Sequence, residues 1–229
     1  SMRNLTAEVF HLLNRQIRNL PADVREQARA VAECKGDLLR QFRFIMGGKI
    51  SGKRIRTHGD YHLGQVLYTG KDFVILDFEG EPVRSLTERR LKRSPLRDVA
   101  GMLRSFHYAA YTVLFNRLKA GTIREEDRDA MERYARFWYV WASTAFLSGY
   151  LESARTGSFL PRTDEELQTL VDAYLLDKVV YELGYELNNR QDWVEIPVKG
   201  ILDLLATPES PEVKKTEKSR STAAKSEKK

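Results

Sequence analysis

Apolar residues recur at helical spacing along most of this chain and alternate as strands in one place only. A run opening at Thr6-Ala7-Glu8-Val9 continues through Leu12, Leu13 and Ile17, and Pro21 interrupts it. A second run passes through Val24, Ala28, Val31, Leu38, Leu39 and Phe42 and stops at Gly47-Gly48. Two helices are predicted. Gln65-Val66-Leu67-Tyr68 and Phe73-Val74-Ile75-Leu76 are β-rich and flank Thr69-Gly70-Lys71-Asp72, the signature of a hairpin with a four-residue loop. Beyond Pro82 the pattern is helical throughout. Ser94-Pro95 starts one helix, which reaches about Lys119 before Gly121 ends it. Thr122 to Glu125 and Thr163 to Glu166 both read as capping boxes. The helix after the first carries Met131, Tyr134, Trp138, Trp141 and Ala145; the helix after the second carries Leu167, Leu170, Val171, Tyr174, Leu175 and Val179. Stripes at this spacing are expected to be core rather than a sugar platform. A short helix near residues 200–206 closes the folded part.

Charge changes little in this picture. The net charge is +6, but the segment from Glu212 to Lys229 holds seven Lys or Arg against three Glu, leaving 31 against 29 elsewhere. That Lys-, Ser-, Thr- and Ala-rich stretch has too little apolar surface to offset its ordering entropy, so residues 208–229 are expected to be a disordered basic tail. No nucleic-acid partner is expected. No run approaches the roughly 18 apolar residues of a membrane span, so no membrane partner is expected either. The single cysteine, Cys34, suits buried filler and a cytoplasmic location. Ser1-Met2 reads as a cloning remnant, which leaves 3–207 as one domain.

Candidate chemistry is concentrated in His58-Gly59-Asp60-Tyr61-His62-Leu63-Gly64-Gln65 and, after the hairpin, Asp77-Phe78-Glu79-Gly80-Glu81-Pro82. Phosphoryl transfer to a hydroxyl needs a carboxylate near the attacking oxygen and further oxygen ligands for Mg²⁺. Asp60 with an amide five residues later meets the first need, and an acid carried back by the hairpin meets the second. His58 and His62 are four apart, but glycines make this a loop without a His-Glu-x-x-His helix, so zinc is set aside. Asp77, Glu79 and Glu81 alone do not make a glycosidase, which gives no reason for the Asp60–Gln65 spacing. No Gly-rich phosphate loop is present.

The spacing resembles the H-x-D-x-x-x-x-N loop of the aminoglycoside and choline kinases, with Gln65 at the amide position. R-T-H-G-D-Y-H-L-G-Q-V-L from Arg56, D-F-E-G-E-P from Asp77, S-P-L-R-D-V-A-G-M-L-R-S-F from Ser94 and the run Tyr181–Arg190 are similar to the bacterial maltokinases. The resemblance spans roughly residues 5–205. It implies an α+β, mainly α fold: the C-terminal lobe of a protein-kinase-like architecture, a helical bundle with a catalytic loop and a small β-hairpin, its N-terminal lobe absent. It implies transfer of a phosphoryl group from ATP to maltose, in a parent that carries the missing lobe and a fused trehalose synthase domain, with Mg²⁺ as cofactor and the present chain alone inactive. By the same resemblance Asp60 is the catalytic base, Gln65 and Asp77 are metal ligands, and Glu79 helps a second metal. His58 is scaffolding, and Asp98 is a buried acid accepting backbone hydrogen bonds from the loop. His62 contacts phosphate or sugar, or braces the loop. Arg104 and His107 face either the sugar pocket or a solvated or salt-bridged surface. A catalytically silent scaffold, or a kinase of another sugar, is the alternative.

Overall fold

The structure, a computed structural model, describes residues 2–47, 50–82 and 84–206. The expected tail and Ser1 lie outside the described residues. Helix α1 (Met2–Gln16) starts earlier than the apolar run, and Met2, set aside with Ser1, lends its carbonyl to the Thr6 hydroxyl at 2.9 Å. Thr6, Val9, Phe10 and Leu13 form the buried face of α1, one stripe at helical spacing.

The second predicted helix is two helices, α2 (Ala22–Glu33) and α3 (Lys35–Gly47). Cys34 ends the first, its N–H reaching the carbonyls of Ala30 and Val31. Its own carbonyl then accepts from Asp37 and Leu38 to start the next. The break falls beside the poor helix former Gly36, and Val31 and Leu38 on either side of it are both buried.

The hairpin forms as predicted. Strands β1 (Val66–Tyr68) and β2 (Phe73–Ile75) pair antiparallel with Tyr68 opposite Phe73. A four-residue helix, α4 (Leu86–Arg89), follows, with the reciprocal capping box of Ser85 and Glu88, which the sequence reading overlooked.

Three long helices complete the bundle: α5 (Leu96–Lys119), α6 (Arg128–Ala154) and α7 (Asp164–Asn189), then α8 (Glu195–Ala206). Gly121, at φ 68°, ends α5 as expected, since left-handed backbone costs glycine nothing. The box at Thr122 does not form. A 3-10 turn, Glu125–Asp127, leads into α6 with no side-chain cap. Thr163 does cap α7, accepting from the Glu166 N–H at 3.2 Å, but the Glu166 carboxylate turns outward to Ser51.

Helix α7 is the spine, packed on α1, α3, α5 and α8. One core cluster joins α1, α2, α3, α7 and α8 around Phe10, Leu13, Phe42, Val179 and Leu183, all fully buried. A second joins the start of α5 to the first half of α7 through Leu96, Val99, Leu170 and Val171. The α7 stripe is therefore core, as expected. The α6 stripe is not. Tyr134 is 68% exposed, Trp138 47% and Trp141 69%, because α6 packs against α5 on one side and no described element covers the other.

Candidate functional site

Helix α5 seats the loop that carries Asp60. Asp98, in its first turn, receives two backbone donors: the His58 N–H at 2.6 Å on Oδ2 and the Gly59 N–H at 2.9 Å on Oδ1. This is the arrangement expected of Asp98. Burial nevertheless raises its pKa against the lowering pull of those two bonds. One turn on, Gly101 lies so close to the loop that a Cβ there would sit 2.7 Å from the Tyr61 carbonyl oxygen. Another turn on, the Ser105 hydroxyl accepts the Leu63 N–H at 3.0 Å. Asp98, Gly101 and Ser105 share one face of α5. Gly101 and Ser105 were missed in the sequence; the signal was a small and a hydroxyl residue in register with the acid.

His58 joins the loop to the hairpin. Its Nδ1 accepts the Asp60 N–H at 3.3 Å and its Nε2 donates to the Leu76 carbonyl at 2.7 Å, which assigns the proton to Nε2. The ring is 7% exposed and lies between Tyr61 and Phe78, with centroids 5.5 and 5.0 Å away. Gly59, at φ 88°, is required here twice over: an L side chain would be strained and its Cβ would meet the Gly80 Cα at 3.3 Å.

The hairpin returns the chain to the loop. Leu76 N–H donates to the Gln65 carbonyl at 2.9 Å, and Asp77 follows with φ 58°, a left-handed conformation that a non-glycine residue adopts at a cost. The Gln65 side chain donates from Nε2 to Asp77 Oδ2 at 3.0 Å. His62 has its Nδ1 on the Gly64 N–H at 3.0 Å, while Nε2 stands 3.8 Å from Asp60 Oδ2. Asp60, His62, Gln65 and Asp77 thus come together on the loop and hairpin. Glu79 is exposed just beyond, its carbonyl accepting from Arg89 at 3.5 Å. Glu81, not singled out from sequence as a site residue, accepts the Tyr181 hydroxyl at 3.2 Å. Burial, then the Glu81 and Asp60 charges, push the Tyr181 phenol up to about 12. Tyr181 therefore belongs to this neighbourhood.

Arg104 and His107 do not. Arg104 is 2% exposed, with Nε donating to Glu182 Oε2 at 2.8 Å; Nη2 is also 2.8 Å from that oxygen but makes no hydrogen bond. His107 is 1% exposed, stacks near Tyr111, and has Nε2 4.0 Å from Asp203 Oδ2 with neither ring nitrogen hydrogen-bonded. Both sit inside the bundle among α5, α7 and α8. Arg104 is salt-bridged as one alternative expected, but the pair is buried and not at the surface, and His107 is a buried imidazole. A cavity of about 520 Å³ lies away from the loop, lined by Ser51, Lys53, Arg155, Ser158 and Arg162 among others. The hairpin strands and Asp77 are largely exposed, whereas Asp60, His62 and Gln65 are half-buried.

No protein-family model matches the chain. It is 27% identical over 198 residues to a glucosamine kinase of Streptacidiphilus jiangxiensis, covering 84% of this chain and 40% of that protein. To a glucosamine kinase of Mycolicibacterium smegmatis it is 30% identical over 150 residues, covering 65% and 34%. Among solved structures, a glucosamine kinase in complex with glucosamine, ADP and inorganic phosphate superposes with TM-score 0.64 at 24% identity, covering 89% of this chain and 47% of that one. A second crystal form superposes with the same TM-score at 22% identity. The chain has the fold of part of a glucosamine kinase. It spans about 40% or less of the length of these curated relatives. Neither curated relative is named for maltose or for a trehalose synthase. Among the described residues no helix is long and apolar enough to cross a membrane.

Proposed function

We propose that this chain is the C-terminal lobe (residues 3–207) of an ATP-dependent sugar kinase, with Asp60 as general base toward the acceptor hydroxyl. The observation that supports the reading is that His58 and Asp98 join the loop carrying Asp60 and Gln65 to the hairpin end carrying Asp77. The second lobe of the resembled kinases is the expected partner across the loop and hairpin. Asp60 takes up the hydroxyl proton as the oxygen attacks phosphorus. His58, with both nitrogens committed, holds the loop and moves no proton.

The donor set suits Mg²⁺. Asp77 offers carboxylate oxygens and Gln65 an amide oxygen, reached by turning the amide that now presents Nε2 to Asp77. Among the described residues no group of three or more His, Cys, Asp or Glu is placed to hold a metal ion. Mg²⁺ needs only one or two protein oxygens beside phosphate oxygens and water, and Glu79 is the nearest further acid in sequence. When bound, the cation neutralises charge on the transferred phosphate.

The relatives' names favour glucosamine as acceptor over maltose, which the motif resemblance alone would imply; fusion to a trehalose synthase has no support in them. The test uses the longest natural chain that contains this sequence, in a coupled ADP assay with glucosamine and maltose side by side. Asp60→Asn should cut kcat by about 10²–10⁴ with Mg·ATP binding kept. Asp77→Asn should weaken Mg²⁺-dependent nucleotide binding as well. Turnover of maltose alone would restore the maltokinase reading. Both variants turning over sugar normally would leave a silent scaffold.

A further inference from the structure

Helix α6 exposes more aromatic surface than a solitary helix face can keep in water without consequence. Tyr134 is 68% exposed, Phe137 67%, Trp138 47% and Trp141 69%, and Val140 adds 51%. The aromatics occupy only the first half of the stripe. Continuing along the same face, the second half presents Thr144, Ala145 and Ser148, all exposed and all small. The two halves mirror each other about Trp141. Seven residues to either side stand Tyr134 and Ser148, four to either side Phe137 and Ala145, three to either side Trp138 and Thr144. An antiparallel helix pair with its two-fold axis at Trp141 sets a large side chain against a small one at each of these positions. Such alternation lets facing helices close to about 8–10 Å.

One pair of end charges obeys the same mirror, while Glu152, exposed on this face, stands opposite Ala130. Asp127 is the N-cap of α6 and Arg155 its C-cap, fourteen residues to either side of Trp141 and on the same face. Antiparallel pairing brings Asp127 of one copy to Arg155 of the other, twice. Asp127 already holds Arg124 at 2.9 Å, whereas Arg155 has no side-chain partner among the described residues. The exposed parts of the four rings amount to roughly 500 Å² per copy. A stable interface takes about 800 Å² per partner, and Val140, the small residues and the charged ends supply the remainder.

We propose that α6 is the self-association face of this chain, pairing with α6 of a second copy about a two-fold axis at Trp141. The pairing is independent of the catalytic reading, since the loop and hairpin contribute nothing to it.

Sedimentation velocity from micromolar to near-millimolar concentration should show one chain passing to two. Trp141→Glu sets two carboxylates against each other on the axis and should weaken the dimer by about 30-fold or more. The register has its own test. Asp127→Arg alone places Arg against Arg at both ends, and Arg155→Asp alone places Asp against Asp, so each variant should dimerise poorly. Their mixture has every end pair matched and should dimerise as the parent does. All these side chains are at least partly exposed, and circular dichroism checks that the helices persist. A single-chain mass at every concentration overturns the proposal. So does a dimer that survives Trp141→Glu but is lost on Val74→Lys, which would move the interface to the hairpin. A mixture that fails to pair overturns the two-fold register.

Discussion

Gly101→Ala changes one hydrogen to a methyl at the closest approach of α5 to the loop. The new Cβ would lie 2.7 Å from the Tyr61 carbonyl oxygen, where ordinary contact begins at 3.4 Å, so the loop must retreat by about 0.7 Å. Helix α5 itself gains about 1 kcal/mol from alanine in place of glycine. Crowding of this size costs about 1–3 kcal/mol. The net loss of stability is therefore about 0–2 kcal/mol, a melting-temperature fall of no more than about 8 °C. Catalysis should suffer out of proportion, because Asp60 moves with Tyr61 and sub-ångström misplacement costs about 10–100-fold in rate. Amide exchange in this chain reads the displacement directly. The Leu63 N–H, now held by Ser105, should exchange faster while the amides of α7 stay protected. A variant that melts higher than the parent, with the Leu63 amide unchanged, would refute the idea that α5 sets the loop's position.

Glu182→Leu strands the Arg104 guanidinium in the interior and should cost about 3–5 kcal/mol in urea unfolding; adding Arg104→Met should recover most of it. Recovery of less than half would mean that the pair does more than satisfy itself. His107 is held well below the ordinary 6.5, first by burial and then by the Arg104 and Lys199 charges, with Asp203, Tyr111 and Tyr139 also facing it. The folded state thus binds fewer protons than the unfolded one. Its stability contribution is complete above the unfolded value near 6.5 and is lost as pH falls below that and on through the depressed folded value. His107→Gln should flatten the fall in urea midpoint between about pH 7 and pH 5, and an unchanged slope would exclude His107 as its source.

The hairpin, α5 and α7 were legible because each rests on local signals: a turn tetrad between β-rich runs, Ser94-Pro95 and Gly121, Thr163 before an apolar stripe. The contacts of Asp98 were legible through a motif that ties it to the loop. Periodicity shows that a helix has an apolar face but not what covers it, so Tyr134, Trp138 and Trp141 read as core although all three are exposed and only Trp138 meets a neighbouring ring, the edge of Phe106 on α5. Cys34 breaks a run whose spacing alone is continuous, since 31 and 38 remain in phase across the break. Arg104 looked like a surface residue because its partner Glu182 is 78 positions away. Ser105 and Gly101 act through backbone atoms of the loop, and no side-chain pattern announces a backbone contact.

His58 ties three parts of the chain into one piece: its backbone N–H is fixed by α5, one ring nitrogen holds Asp60, and the other holds the residue before Asp77. Separation of these parts is consequently costly in heredity as well as in mechanics. Exchanging the loop, the hairpin end or the Asp98 turn singly between divergent sequences would put at risk the contacts that each makes with the other two. Substitutions at these places should prove strongly non-additive, each tolerated only against its own background. In recombination or grafting, residues 56–67, 73–81 and 94–106 behave as a single inherited cassette, transferable together and deleterious apart.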